Sequence, residues 1–200
     1  MTTYEGVPEV CRAAYDDAFA RIAAAMERGN KLLICGNGGS AADAEHIVGE
    51  LMKGFLLKRP VADELFPEGV PDPALEKLQG SMAAISLNGH TALASALVND
   101  TDATLIYAQQ VLGLGRPGDV LMCISTSGNA KNCALAAHVA KAKGMEVIGL
   151  TGVGGGKLAA LADCLIAVPE KETYLVQQLH LPLYHALCAR LEEHFFGGKG

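Results

Sequence analysis

Two segments of the chain carry side chains that can transfer protons. His46 and Glu50 are four residues apart in a stretch of helical periodicity, which places them on one helix face. Gln177, His180 and His185 follow one another within two or three turns of a second helical segment, and Gln177 and His185 differ by about 80° around an ideal helix, so both could face one cleft. Such side chains act as general acids and bases, and the set His46, Glu50, Gln177 and His185 can also bind Zn²⁺. Alone, the His46–Glu50 pair is more commonly a surface hydrogen bond than a ligand pair.

A glycine-rich segment, Cys35–Ser40 (CGNGGS), follows an apolar run and precedes a helical stretch; we call it the first turn. Glycines let the backbone approach a ligand closely, and free N–H groups at the start of a helix bind anions. The segment lacks the third glycine and the acid of the dinucleotide fingerprint, and it lacks the Gly-Lys-Ser/Thr of a P-loop. It therefore predicts either an anion site formed by Asn37, Gly38, Gly39 and Ser40, or a tight turn with Ser40 as the helix N-cap.

The second turn, Ser125–Asn129 (STSGN), presents three consecutive hydroxyl groups before another helical stretch. Ser125, Thr126 and Ser127, together with backbone N–H groups and Asn129, predict a phosphate site made of neutral donors and a helix dipole. A local site of this kind is needed because the net charge of −6 repels anions.

To form one site, these turns must be held at the same edge of a sheet by the strands that precede them. Short, unalternating apolar runs predict buried parallel strands, namely Lys31–Cys35, Ser81–Leu87, Asp119–Ile124, Glu146–Leu150 and Asp163–Val168. Helical stretches alternate with them, among them 8–29, Ala41–Met52 and Asn129–Lys143. The pattern predicts an α/β fold, a flavodoxin-like doubly wound parallel sheet of about five strands flanked by helices, and one domain over residues 1–200. A third turn, Thr151–Lys157, is expected to be mainly structural, with Lys157 in solvent.

Two regions depart from this alternation. Residues 56–80 hold four of the eight prolines and charges of both signs, which predicts an excursion that forms a lid or an interface, with a short helix at Pro73–Leu78. The segment Glu172–Phe196 has the length of a long helix, and Pro182 within it is expected to kink or divide that helix.

Composition excludes several classes of protein. With 200 residues, 50% hydrophobic and 19% charged, the chain is neither disordered nor a polyelectrolyte. It has no apolar run long enough to cross a membrane, no secretion-signal pattern at its start, and neither the basic charge nor the aromatic content of a nucleic-acid-binding surface. Six scattered cysteines without a C-x-x-C pair predict buried, reduced thiols in a cytoplasmic protein.

A glutamate beside a histidine in a phosphate-binding cleft is what aldose–ketose isomerisation requires. The ordered motifs GNGGSAADAEH…E, STSGN, TG..GGKL…AD and QxxHxxxxH resemble the SIS (sugar isomerase) domain family, and its phosphoheptose isomerase branch most closely. The resemblance covers about residues 8–196. It implies a flavodoxin-like core, a homotetramer with active sites shared between subunits, and conversion of sedoheptulose 7-phosphate to D-glycero-D-manno-heptose 7-phosphate through an enediol.

The resemblance also implies roles for single residues. Glu50 corresponds to the base that moves the proton between C1 and C2, and His185 to its acid/base partner. The residues corresponding to the zinc ligands of zinc-containing members are His46, Glu50, Gln177 and His185. Those expected at the sugar phosphate are Asn37, Gly38, Gly39, Ser40, Asn99, Asp100, Ser125, Thr126, Ser127, Asn129 and Gln177.

Three departures from the family pattern bear on the substrate. Ala130 replaces the last serine of STSGNS and removes one phosphate hydroxyl; Asn88-Gly89-His90 stands where an aspartate is common; and the excursion at 56–80 is longer than in compact members. The alternatives are therefore the same chemistry on another sugar phosphate, or a non-catalytic SIS protein such as a tetramer that binds a replication initiator. The combination of Glu50, Gln177 and His185 favours catalysis, because a pure binding protein does not need it.

Overall fold

The computed structural model describes residues 4–198, and it contains one five-stranded sheet covered by helices on both faces. The helices are α1 Arg12–Glu27, α2 Gly39–Met52, α3 Ala62–Leu65, α4 Thr91–Asp100, α5 Ile106–Leu114, α6 Lys131–Ala142 and α7 Thr173–Phe196. The strands are β1 Leu32–Gly36, β2 Ala84–Ser86, β3 Val120–Ser125, β4 Glu146–Thr151 and β5 Cys164–Ala167.

The sheet is parallel throughout, in the order β2-β1-β3-β4-β5. This is the flavodoxin-like order, so the predicted fold is confirmed. The register pairs Cys35 with Cys123 and Ser125 with Thr151, which brings the carboxyl ends of β1, β3 and β4 to one edge. The first, second and third turns consequently lie side by side.

The strands are apolar on both faces because each face has its own core. Leu32 and Ile34 of β1 pack into a cluster with α1, α2 and α7, whereas Leu33 and Cys35 of the same strand pack into a second cluster with α5 and α6. This double coverage explains why the strand sequences lack alternation. All six cysteines are free and buried, as predicted.

The excursion is tied at its base and contains the short helix α3 beyond it. Pro60 and Gln79 form an isolated antiparallel bridge, and the Gly80 N–H donates to the Arg59 carbonyl at 2.6 Å. The predicted helix at Pro73–Leu78 is present as a 3-10 turn, Pro73–Lys77.

The helix α7 runs unbroken from Thr173 to Phe196. Pro182 therefore does not divide the C-terminal helix. Gly6, at φ +77°, passes directly over the proline: a Cβ at Gly6 would lie 2.5 Å from the Pro182 Cβ. The N-terminal segment thus covers the helix where one backbone donor is missing. Over residues 4–198, no helix has the length and apolarity needed to span a membrane.

Candidate active site

A cavity of about 430 Å³ opens at the carboxyl edge of the sheet between β1 and β3. The strand order reverses between these two strands, and ligands of open α/β sheets bind at such a reversal. Its lining consists of Asn37, Gly38, Gly39, Ser40, Ile124, Ser125, Thr126, Ser127, Asn129, Ala130, Thr173 and Gln177. Nine of the predicted site residues therefore share one cavity.

No side chain caps α2 or α6, two of the helices that start at this cavity. The N-cap of α2 is Gly38 and that of α6 is Ala130, and neither makes a side-chain capping hydrogen bond. Ser40 is buried inside the first turn of α2, so the alternative in which it is the N-cap is wrong. The positive ends of both helix dipoles are thus directed at a cavity lined with hydroxyl groups, which favours an anion.

The second turn rests directly on the third turn. Gly128 has φ +66°, and a Cβ there would lie 1.9 Å from the Gly155 carbonyl oxygen. The Asn129 amide oxygen accepts a hydrogen bond from the Lys157 N–H at 3.2 Å, while the Lys157 side chain is exposed. The third turn supports the second, which agrees with its predicted structural role.

Asn37 of the first turn is held by residues that sequence reasoning did not single out. The Asn132 amide donates to Asn37 Oδ1 at 2.8 Å, and the Tyr107 hydroxyl lies 3.2 Å from the same oxygen. Asn88 donates to the Gly36 carbonyl and to the Tyr107 hydroxyl, each at 2.8 Å. Asn88 thus stabilises the first turn through the Gly36 carbonyl and through Tyr107. An asparagine in the first turn of the helix after STSGN was the available signal for Asn132.

The predicted acid/base residues of α2 and α7 come together. His46 Nε2 lies 3.2 Å from Glu50 Oε1 and 3.3 Å from His185 Nε2. The Glu50 side chain is 14% exposed and also contacts Lys53 Nζ at 3.2 Å. The His46–Glu50 pair is therefore part of a three-residue group, which we call the acid/base group (His46, Glu50 and His185).

His185 occupies a partly apolar position in this group. Its ring lies 5.6 Å from that of Phe55 and 5.0 Å from that of Tyr184, between centroids. Burial lowers the pKa of His185, the neighbouring His46 lowers it further, and Glu50 opposes both. His185 is accordingly biased towards the neutral form, in which an imidazole can both accept and donate a proton.

Gln177, Asn99 and Asp100 are not in the acid/base group. Gln177 lies over the first turn, where a Cβ on Gly39 would be 2.3 Å from Gln177 Nε2. Asn99 and Asp100 form the exposed end of α4, where the Asn99 amide donates to Asp100 at 2.7 Å, and they do not line the cavity. Their contact with sugar hydroxyls stays a prediction.

Within residues 4–198, no group of three or more His, Cys, Asp or Glu side chains could hold a metal ion as it stands. The distances from His46 Nε2 to Glu50 Oε1 and to His185 Nε2 are nevertheless those of neighbouring ligands: zinc–nitrogen bonds of 2.0–2.1 Å in a tetrahedron imply ligand atoms about 3.3 Å apart. Two imidazoles and a carboxylate are a donor set that zinc accepts. The predicted ligands His46, Glu50 and His185 are thus adjacent, whereas the fourth, Gln177, contacts Gly39.

The chain matches known proteins over most of its length. The SIS domain model matches residues 5–85 and 80–152. A phosphoheptose isomerase of Nitratidesulfovibrio vulgaris (strain Miyazaki F) is 40% identical over 175 residues, 88% of this chain and 74% of that protein. One from Rhodospirillum rubrum is 39% identical over 183 residues, 92% of this chain and 87% of that protein. The structure of phosphoheptose isomerase GmhA from Neisseria gonorrhoeae superposes with a TM-score of 0.75 at 34% identity, covering 90% of this chain and 86% of that one. The chain belongs to the SIS domain family.

Proposed function

We propose that this protein is a phosphosugar aldose–ketose isomerase that converts sedoheptulose 7-phosphate to D-glycero-D-manno-heptose 7-phosphate. The observation that carries the proposal is the contact of His46 with both Glu50 and His185, on the same two helices that line the hydroxyl-rich cavity. The relatives named phosphoheptose isomerase, at 39–40% identity over most of the chain, support the seven-carbon substrate.

In the proposed reaction the phosphate binds at the second turn, where Ser125, Thr126 and Ser127 supply neutral donors. The Glu50 carboxylate removes a proton from C1 of the ketose, and the electron pair of the broken C–H bond forms the enediol double bond. Glu50 then returns the proton to C2, while His185 moves a proton between the two oxygens. The sum is an internal redox exchange between adjacent carbons, so no external oxidant or reductant is needed.

We propose zinc as a cofactor, held by His46, Glu50 and His185. A site with two histidines, one glutamate and an open position is typical of catalytic zinc. When bound, zinc would supply Lewis-acid polarisation of the sugar carbonyl and hydroxyl oxygens. Gln177 is left in this proposal as a substrate ligand, because its amide lies over Gly39.

We also propose a homotetramer with shared active sites that acts in the cytoplasm. Support for self-association comes from α4, where Leu93 is 40% and Val98 is 59% exposed. Six reduced, buried thiols support a reducing compartment. The exposed pair Asn99 and Asp100 at the end of α4 could then reach the sugar of a neighbouring subunit.

A second candidate is the same chemistry on another sugar phosphate. The segment Asn88-Gly89-His90 stands where an aspartate is common in the family, and the Asn88 amide is engaged by the Gly36 carbonyl and Tyr107, so it has little freedom to contact a sugar. The excursion could also change which sugar fits. The regulatory alternative is less favoured, because a binding protein has no use for the acid/base group.

The test is an aldose–ketose conversion assay on a panel of five- to seven-carbon sugar phosphates. We expect turnover of sedoheptulose 7-phosphate in preference to the others. Preference for a shorter sugar would favour the second candidate. Binding of the panel without conversion of any member would favour the regulatory alternative and contradict the proposed function.

A further inference from the structure

His46 contacts a second pair of polar residues on the side of its ring opposite the acid/base group. The Tyr184 hydroxyl lies 3.0 Å from His46 Nδ1, and the same hydroxyl donates to Asp43 Oδ1 at 3.2 Å. Tyr184 is buried, with 1% of its surface exposed. Asp43 is half-buried, and among the described residues its Oδ2 atom has no hydrogen-bond partner. The hydrogen bond to Tyr184 is therefore the main interaction of this carboxylate.

The chain Asp43–Tyr184–His46 restricts where the His46 proton can lie. A carboxylate only accepts hydrogen bonds, and a tyrosine hydroxyl has one hydrogen to donate. If Tyr184 gives that hydrogen to Asp43, its oxygen can only accept at the other contact. His46 must then carry its proton on Nδ1 and donate it to Tyr184.

The position of this proton decides what His46 Nε2, which lies 3.2 Å from the Glu50 carboxylate, can do. Without Tyr184, a neutral imidazole beside a carboxylate would carry its proton on the nearer nitrogen and donate a hydrogen bond to the carboxylate. One oxygen of Glu50 would then be occupied by that hydrogen bond. With the proton on Nδ1, the Nε2 atom carries a lone pair and donates no hydrogen bond to Glu50. The lone pairs of the Glu50 oxygen then remain available to accept a proton or bind a cation.

We propose that Tyr184 and Asp43 are positioning residues that hold His46 with its proton on Nδ1 and thereby keep Glu50 free to act as a base. The effect on turnover rests on the proposed isomerase function, whereas the position of the His46 proton does not. The same arrangement leaves Nε2 available as a metal ligand, since ligating histidines commonly donate their other N–H to such a partner.

The experiment is nitrogen NMR of the full chain labelled at histidine, recorded as purified and after chelator treatment. Two-bond nitrogen–proton correlations identify which ring nitrogen of each of the six histidines carries hydrogen, and the spectrum of His46→Gln assigns the signal. We expect the proton on Nδ1 in the wild type and on Nε2 in Tyr184→Phe, which keeps the buried ring. We also expect kcat to fall about 10- to 100-fold in Tyr184→Phe with little change in KM.

Two further variants separate positioning from packing. Asp43→Asn retains an oxygen that accepts from Tyr184 and should keep the proton on Nδ1, whereas Asp43→Ala frees the tyrosine hydrogen for His46 and should move the imidazole proton to Nε2. Tyr4→Phe is the control, because it removes another tyrosine–aspartate hydrogen bond, Tyr4 to Asp16 at 2.9 Å, whose two residues belong neither to the acid/base group nor to the cavity lining. It should change neither the His46 signal nor kcat.

A wild-type His46 protonated on Nε2, or a Tyr184→Phe variant with unchanged tautomer, would overturn the assignment. The two proposals fail separately. A wild type with the proton on Nδ1 but no activity on any sugar phosphate would refute the isomerase function and leave the positioning role standing. An active enzyme whose His46 carries its proton on Nε2 would refute the positioning role and leave the isomerase function standing.

Discussion

His46 Nε2 on α2 and His185 Nε2 on α7 lie 3.3 Å apart, although 139 positions separate them in the chain. The contact joins a helix that starts at the first turn to the helix that carries Gln177 over that turn. Because α2 and α7 pack in the same core cluster, one packed pair of helices holds the acid/base group and one side of the cavity. Substitutions that change the relation of α2 to α7 should therefore change activity before they change the fold.

Gly39→Ala tests the contact of Gln177 with the first turn. The new Cβ would lie 2.3 Å from Gln177 Nε2, so the flexible amide must move while the backbone need not. We expect near-normal stability and a KM for the sugar phosphate raised about fivefold or more, since one lost hydrogen bond costs roughly 1 kcal/mol. Steady-state kinetics and thermal unfolding provide the two readouts.

Gly49→Ala is the matched control on the same helix, because a Cβ there meets nothing within 4 Å. It should leave KM unchanged and stabilise the protein by about 0.5–1 kcal/mol, as alanine replaces glycine within a helix. An unchanged KM in Gly39→Ala would argue that Gln177 does not touch the substrate.

Gly128→Ala tests whether the second turn depends on the third. Its φ of +66° disfavours any side chain, and its Cβ would also lie 1.9 Å from the Gly155 carbonyl oxygen. Gly154→Ala isolates the first of these effects, since its φ is +85° but nothing lies within 4 Å. We expect Gly154→Ala to cost about 1–2 kcal/mol in the free energy of unfolding. Gly128→Ala should cost clearly more and weaken binding of inorganic phosphate; equal costs would mean that the two turns can separate without penalty.

Glu192→Gln tests the buried ion pair that closes the base of the excursion. Glu192 accepts from Arg59 at 2.7 Å and from the N–H groups of Phe55, Leu56 and Leu57, and both charged side chains are 0% exposed. Removing one charge of a buried pair costs about 3–5 kcal/mol. Denaturant unfolding at neutral pH should show this loss. Asp17→Asn, in a pair with Arg21 that is 30–45% exposed, should cost less than about 1 kcal/mol.

The pH dependence of this ion pair follows from the Glu192 pKa. Burial raises that pKa, but hydrogen bonds from Phe55, Leu56 and Arg59 outweigh burial and lower it overall. A carboxylate with a lowered folded-state pKa stabilises the fold fully above its ordinary pKa and loses that contribution as the pH falls through the folded-state value. The stability difference between wild type and Glu192→Gln should therefore shrink on acidification. A difference that stayed constant into the acid range would contradict the role of the charge.

Elemental analysis of protein purified without chelators tests the zinc proposal. We expect about one zinc per chain in the wild type and a large loss in His46→Gln, because one of the three proposed ligands is removed. His138→Gln is the control, since His138 is an exposed histidine on α6. Absence of zinc from the wild type at any stoichiometry would eliminate the ligand assignment.

Much of the fold could be predicted from the sequence, since buried parallel strands appear in it as short, unalternating apolar runs. The apolar runs ending at Cys35, Ile124 and Leu150 each extend one residue further in the structure, because the next residue still pairs in the sheet. The unbroken α7 could not be foreseen at Pro182, because the segment that packs on the proline, at Gly6, is nearly the whole chain away in sequence.

The residues of the cavity and the acid/base group were also predicted, because each belongs to a short local motif. Those that hold them in place were not. Asn132 of α6 acts on Asn37 of the first turn, and Tyr184 acts on His46 across the α2–α7 contact. Such roles depend on tertiary contacts that neither residue type nor spacing encodes.

Isomerisation in D₂O shows whether Glu50 moves the proton between C1 and C2. We expect the wild type to convert sedoheptulose 7-phosphate with deuterium appearing at C2 of the product. Glu50→Gln should bind the sugar phosphate and fold normally but lose turnover and exchange by about 10²- to 10⁴-fold, while Glu45→Gln, at an exposed position of the same helix, should behave as wild type. Exchange and turnover in Glu50→Gln at the wild-type rate would contradict the account.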